Sequence, residues 1–264
     1  MLVKACLNGG TTRREHPAVP QTPAELAADA IAVVRAGAGA IHIHPRDESG
    51  VEVLEASAVL AAVGEVQAAV PGVPVGVTTG LWAAGGNSYK RLELVAGWSG
   101  PSKPAFASVN MSEPGAAELA ALLGELDIAV EAGVWTVADA DTLAETGLAD
   151  ADTLADGDTL GEGGLVETGP ATGLVRILIE PQETWAEGAV ALAARIEAAL
   201  DRHGFTAPRL HHGYGFATWH VLRAAVALGR DIRVGLEDTV VLADGTPATS
   251  NAELVAAAVA LATG

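Results

Sequence analysis

Apolar residues along this chain follow two rhythms. Short runs rich in Val, Ile, Leu and Ala recur at 2–8 (LVKACLN), 40–46 (AIHIHPR), 73–79 (VPVGVTT) and 105–111 (AFASVNM). They continue at 129–135 (AVEAGVW), 174–180 (LVRILIE), 208–214 (PRLHHGY) and 231–238 (DIRVGLED). Their length and β-branched content predict eight strands. Between them the apolar period lengthens to that of a helix. TPAELAADAIAVVRAGA offers Thr22 as a cap, Pro23 at the first helical position and Glu25 three residues past the cap. Leu26, Ala30 and Val33 then form a stripe, and Gly37 offers a stop. Thr184 with Glu187 and Ser250 with Glu253 repeat the capping-box signal further on. EASAVLAAVGEVQAAV, SYKRLELVAGW, GAAELAALLGELD and TWHVLRAAVALG supply helices for most of the other gaps.

Eight strands, each followed by a helix, in 264 residues match the arithmetic of a single (β/α)₈ TIM barrel spanning 1–264. An open doubly wound sheet is the main rival. The first turn, NGGTTR, argues against it, because it lacks the G-x-G-x-x-G that opens such a sheet into a helix. The rhythm breaks at 139–169, where D-x-D-T-L occurs at 139–143, 150–154 and 156–160. Asp-x-Asp pairs suit calcium, but Leu154 stands where an EF-hand needs a third oxygen ligand. An acidic surface insertion around the fifth helix is the expectation.

Half of the residues are apolar and only 4% are aromatic, so the core is built from small and branched side chains. The formal charge is −18, from 15 basic and 33 acidic residues. Such a surface repels phosphate backbones and anionic lipid, which argues against nucleic acid and membranes as partners. Cys6 is the only cysteine, so neither an internal disulfide nor a cysteine metal cluster can form. MLVKACLNGG lacks the charged and apolar regions of a signal peptide. A soluble, cytoplasmic protein is expected.

The chemistry concentrates at the ends of the runs. His42 and His44 sit at i and i+2 of a strand, side by side and roughly 6.5–7 Å apart at their roots. Two imidazoles so placed can converge on one cation, and Pro45, Arg46 and Asp47 follow at once. A catalytic zinc usually has a third protein ligand and an open position. Glu237, expected to share a face with Arg233 and Gly235 in the last run, is a candidate across the barrel mouth. His211 and His212 are rivals; being adjacent on a strand, at most one faces inward. Thr78 and Gly80 share a face, as do Ser108 and Asn110, and such short polar groups suit a substrate carboxylate or carbonyl.

Taken together, LNGGTTRREHPAVPQTPAELA, IHIHPRD, VTTG, SVN and VGLEDTV resemble the β-keto acid cleavage enzymes, whose founding activity is 3-keto-5-aminohexanoate cleavage. The resemblance touches both ends of the chain. It implies a (β/α)₈ barrel that binds Zn²⁺ or another divalent transition metal through His42, His44 and Glu237. It further implies Asp238 as the catalytic acid/base and Arg233 as the cation that positions it. Thr78, Thr79 and Gly80 would hold the β-keto acid. The implied reaction, a reversed Claisen condensation, uses acetyl-CoA as cosubstrate and yields acetoacetate and a new acyl-CoA. The resemblance also suggests a homo-oligomer, a tetramer. Family members often carry a glutamate after the first strand, within T-G-A-E. Here NGGT puts Thr11 in that place, which argues against a basic amino group as the substrate's handle.

One difficulty and two alternatives stand beside this reading. Glu237 and Asp238 are adjacent, so both can serve only if the strand ends or twists there. A metal-dependent hydrolase of the amidohydrolase type would need its H-x-H on the first strand and histidines on the fifth and sixth, which AVEAGVW and LVRILIE lack. A non-catalytic metal-binding barrel would need a fourth ligand, for which only His211 or His212 is in view.

Overall fold

Each apolar run forms a parallel strand in the computed structural model, which describes residues 1–148 and 173–264. The strands are β1 (Val3–Cys6), β2 (Ala40–Ile43), β3 (Val75–Thr78), β4 (Phe106–Asn110), β5 (Ala129–Val134), β6 (Leu174–Ile179), β7 (Arg209–His211) and β8 (Asp231–Val234). Each pairs with its neighbour in sequence, and β8 pairs back onto β1, closing a (β/α)₈ barrel. The helices between them are α1 (Pro23–Arg35), α2 (Ala56–Ala69), α3 (Ser88–Val95), α4 (Ala116–Glu125), α5 (Val137–Glu145), α6 (Ala186–His203), α7 (Thr218–Ala227) and α8 (Asn251–Thr263). None of the described helices is long and apolar enough to cross a membrane.

The caps explain where helices begin. Thr22 Oγ1 accepts from Glu25 N–H, and the Glu25 carboxylate accepts from Thr22 N–H, a complete capping box for α1. Ser250 caps α8, but the Glu253 carboxylate reaches Thr249 instead of closing the box. The box expected from Thr184 and Glu187 does not form. Helix α6 starts one residue later, with Trp185 as its N-cap and no side-chain cap bond. Helix α5 contains the first D-x-D-T-L unit. Asp139 is buried and accepts from the Trp135 and Thr136 N–H groups at 2.8 Å and from the Ser112 hydroxyl at 2.6 Å. That unit is thus a helix start in the barrel wall. The other two units lie outside the described residues.

Strand alternation divides the protein into two interiors. Outward residues such as Ile41, Ile43, Val75, Val77, Ala107 and Val109 pack against the helices in one continuous apolar core. Burying each such Val, Leu or Ile side chain stabilises the fold by roughly 1.5–3 kcal/mol. Inward residues are largely polar. Near the floor of the barrel, Lys4 Nζ lies 2.6 Å from Glu131 Oε2, and Arg176 pairs with the other oxygen of the same carboxylate. Phe106 lies beneath the Lys4 ammonium, in space that a side chain at Gly76 would fill. This charged plug closes the barrel below the mouth. Removing one partner from such a buried pair costs about 3–5 kcal/mol.

Candidate active site

The site begins where β1 and β2 end. Asn8, fully buried, extends their pairing past the strands. Its Oδ1 accepts from His44 N–H at 2.9 Å, and its Nδ2 donates to the His44 carbonyl at 2.8 Å. This clamp holds His44 beside His42, with ring centroids 5.1 Å apart. His44 Nδ1 lies 2.6 Å from Glu52 Oε2, which also accepts from Trp82 Nε1 at 2.9 Å. The Trp82 ring stacks on His44 at 6.3 Å. With Nδ1 engaged by Glu52, His44 turns Nε2 toward the mouth.

The other half comes from β8. The strand stops at Val234, and residues 235–238 form a turn in which Asp238 and Thr239 N–H groups donate to the Gly235 carbonyl. This resolves the parity problem, since Glu237 and Asp238 both reach the mouth from a turn. It also corrects the expectation that Glu237 shares a strand face with Arg233 and Gly235. Three features fix the turn. Gly235 presses on β1 so closely that a Cβ would sit 1.9 Å from the Cys6 carbonyl oxygen. Gly9, at φ +49°, leaves the space Glu237 occupies. Asn251, fully buried at the start of α8, accepts from Leu236 N–H and donates to the Leu7 carbonyl, both at 2.7 Å.

His42, His44 and Glu237 are thereby brought together, each offering a ligand atom within 4.8 Å of the others. His44 Nε2 lies 3.4 Å from Glu237 Oε1. Two ligands bound tetrahedrally at about 2.0–2.1 Å would be roughly 3.3 Å apart, so the observed spacing fits a divalent ion. His42 Nδ1 and Glu237 Oε2 are buried and have no hydrogen-bond partner among the described residues. Burial holds the His42 imidazole well below its ordinary pKa, in the neutral form a ligand needs. Burial also acts to lower His44, but Glu237 and Glu52 outweigh it and push the pKa up to about 9 in the metal-free chain. Glu237 is raised by burial and lowered further by Arg233 and the two histidines, ending well below the carboxylate range. Arg233 donates to Glu237 and, at 2.8 Å from Nη2, to Asp238 Oδ1, so one guanidinium braces both acids.

The facing wall of the mouth is formed by Thr78, Ser108, Asn110, Trp135, Glu180 and Tyr214, around a small cavity of about 40 Å³. Thr79 and Gly80 do not line it. The Thr79 hydroxyl donates to the Ser108 carbonyl at 2.5 Å, and Gly80 N–H donates to Thr78 Oγ1 at 3.0 Å. These two bonds brace the strand ends beside the cavity. Of the adjacent histidines, His211 points outward to Glu197 at 2.8 Å. His212 points inward, 3.2 Å from Glu180 Oε2 and 3.3 Å from Asp238 Oδ1. These are ion-pair distances, with the ring N–H directions off the line of a hydrogen bond. Neither histidine joins the three-residue cluster.

Sequence reasoning passed over Asn8, Gly9, Glu52, Glu180 and Asn251. For Glu180 a signal existed: Arg176, Leu178 and Glu180 follow the strand period onto the inner face.

A closed parallel barrel with convergent imidazoles, carboxylates and a buried arginine at the carboxyl ends of its strands has the build of a barrel enzyme. The chain belongs to the beta-keto acid cleavage enzyme family, which it matches over residues 1–264. Among solved structures, apo ObcA is similar with a TM-score of 0.63 at 18% identity, covering 91% of this chain and 61% of that one. ObcA with oxaloacetate gives 0.62, again at 18% and 91%, with 62% of that chain covered. The ternary complex of ObcA with a C4-CoA adduct and oxalate gives 0.63 at the same identity and coverage. At this identity the likeness shows the fold. This chain spans about three fifths of the ObcA length.

Proposed function

We propose that this enzyme exchanges carbon fragments between a β-keto acid and acetyl-CoA, giving acetoacetate and a new acyl-CoA. In that exchange the acyl group of the keto acid leaves its CH₂COO⁻ fragment and joins the CoA thiol. The CH₂COO⁻ fragment takes up the acetyl group, so the atoms balance. The observation that carries the reading is the His42–His44–Glu237 cluster with Arg233 joining Glu237 to Asp238. Family membership supports the reaction class, and the ObcA complexes with a keto acid and a CoA adduct lend it substrate types.

In this reading His42, His44 and Glu237 hold a divalent ion, zinc by preference for two imidazoles and one carboxylate. Such an ion supplies Lewis-acid stabilisation for negative charge developing on a ketone oxygen. Asp238 moves the proton at the carbon between carboxylate and ketone, and Arg233 aims it. Thr78, Ser108 and Asn110 orient the keto acid from the opposite wall. Trp82, stacked over His44, shields that side of the mouth from water.

The test is acetyl-CoA-dependent acetoacetate formation against a panel of β-keto acids, run beside elemental analysis of the purified protein. Turnover that disappears with chelation and returns with zinc is the expected result. A chain that holds no divalent ion after reconstitution and forms no acetoacetate would sink the proposal.

A further inference from the structure

The exchange develops negative charge on two oxygens, the ketone oxygen of the keto acid and the carbonyl oxygen of the thioester. The proposed ligand cluster provides for the first, and the second needs a donor of its own. Most donors of the mouth are spent. Trp82 Nε1 donates to Glu52 at 2.9 Å, Trp135 Nε1 to Glu180 at 3.3 Å, Asn110 Nδ2 to Glu113 at 3.0 Å, and Arg233 to Glu237 and Asp238. Three hydroxyls line the cavity and donate to none of the described residues, those of Thr78, Ser108 and Tyr214. Thr78 and Ser108 are register partners on β3 and β4, the wall given to the keto acid. Tyr214 follows β7, across the barrel from β3 and next to the β8 turn that bears Asp238. Its backbone is tied to that turn. Gly215 N–H donates to the Asp238 carbonyl at 2.8 Å, and the Gly213 carbonyl accepts from Thr218 Oγ1 at 2.9 Å. The Tyr214 ring stands edge to face on His212, with centroids 5.2 Å apart, and His212 lies 3.3 Å from Asp238 Oδ1. Phenol and carboxylate thus share one frame. Burial, with Glu180 adding to it, holds the Tyr214 pKa well above its ordinary value, so the phenol keeps its proton and donates.

We propose that Tyr214 is the hydrogen-bond donor to the thioester oxygen, a catalytic residue of the step that forms the new carbon–carbon bond. The inference rests on the exchange reaction proposed above. Asp238 takes a proton from C2 of the keto acid, and the electron pair left there attacks the acetyl carbonyl carbon. The C=O pair moves onto the thioester oxygen, to which the Tyr214 O–H donates without transferring its proton. Collapse of this oxyanion breaks the C–S bond and releases the CoA thiolate. The thiolate adds to the original ketone carbon, the bond from that carbon to C2 breaks, and Asp238 returns its proton to C2 of acetoacetate. Atoms and charge balance with no further reactant. The acetyl carbon takes the place of the proton that Asp238 removed, so its carbonyl arrives on the Asp238 side of C2, beside Tyr214. A donor already held there needs no reorganisation as the charge develops.

The experiment measures two rates in D₂O for wild type, Tyr214→Phe and Tyr89→Phe, with acetyl-CoA and either 3-oxohexanoate or 3-oxoadipate. One is acetoacetate formation. The other is deuterium entry at C2 of the unconsumed keto acid, above the protein-free rate. Tyr214→Phe should lower kcat for acetoacetate by roughly 10²–10³-fold, the usual cost of one oxyanion donor, while exchange at C2 stays within a few-fold of wild type. A variant that exchanges is folded and binds the acid, so misfolding does not imitate this split. Tyr89→Phe, at a ring 81% exposed on α3, should change neither rate. A loss of less than about 10-fold in Tyr214→Phe overturns this inference alone, as do equal losses of both rates. So does a wild type that forms acetoacetate without accelerating exchange. A wild type that forms no acetoacetate from either acid overturns the parent reaction and this inference with it.

Discussion

Gly9→Ala tests how the rim of the barrel holds Glu237. Gly9 has φ +49°, a left-handed conformation that costs an alanine roughly 1–2 kcal/mol. A Cβ there would sit 2.1 Å from Glu237 Cγ and 2.8 Å from its Cβ and Cδ. Ordinary carbon contacts need about 3.5–4.0 Å, so the Glu237 side chain must retreat by roughly 1.5 Å. Retreat takes the carboxylate from Arg233 and from its 3.4 Å approach to His44 Nε2. Strain and a weakened ion pair together should destabilise the metal-free chain by about 2–3 kcal/mol, a drop in Tm of roughly 5–10 °C at this size. Zinc affinity, read by competition with a chromophoric chelator, should fall at least 10–100-fold, as when support for a ligand is lost. Gly10→Ala is the control. Gly10 is exposed, and its Cβ would meet only Glu52 Oε1, at 3.6 Å, so it should stay within about 0.5 kcal/mol of wild type. If the two variants melted and bound zinc alike, Glu237 would not be packed against Gly9, and the proposed ligand set would lose its geometric basis.

Other perturbations separate the remaining roles. Asp238→Asn should retain bound zinc while lowering turnover by roughly 10²–10⁴-fold, whereas Glu237→Gln should lose zinc; the opposite pattern of metal content would exchange the two assignments. Glu52→Gln should weaken zinc binding by about 10–100-fold, because His44 Nδ1 loses its charged partner; unchanged affinity in a competition titration would show that Glu52 does not orient the ring. Asp29, which accepts from Asn251 Nδ2 at 2.6 Å, is raised by burial to a pKa of about 6. Its folded value lies above the unfolded one, so its stabilisation is fully present below about pH 4 and is lost as pH rises through 6, by at most about 3 kcal/mol. Thermal melts of wild type and Asp29→Asn from pH 4 to 7 should therefore diverge with rising pH, with the variant the more stable; parallel curves would refute the assignment.

How far the site can be read from the chain depends on how each residue acts. His42, His44, Arg233, Glu237 and Asp238 stand out because residue types that bind metals or move protons are crowded into two short stretches. The barrel is legible for a similar reason, since eight apolar runs alternate with capped helical periods. Thr78 and Thr79 show what this reading lacks: both suit a substrate, and only registration against β4 turns Thr78 to the cavity and Thr79 to the Ser108 carbonyl. Choosing between His211 and His212 needs the same registration. Asn8 and Asn251 are harder still. Each satisfies backbone groups on elements far away in sequence, Asn8 with His44 and Asn251 with Leu7 and Leu236. Before the barrel closes, nothing separates them from ordinary turn and cap asparagines. Glu52 is hidden by number, one acid among 33 acidic residues, until the hairpin bridge between Arg46 and Glu52 carries it onto His44. Closure joins β8 to β1, so the turn bearing Glu237 is held in part by contacts that span nearly the whole chain. Gly9, Cys6 and Asn251 make those contacts, and their small or compact side chains follow from the close approach that closure imposes. The geometry of the proposed ligand set is therefore a property of the barrel seam, and if the proposal holds, substitutions at the seam should alter metal binding although none of these residues has a ligand atom in the cluster.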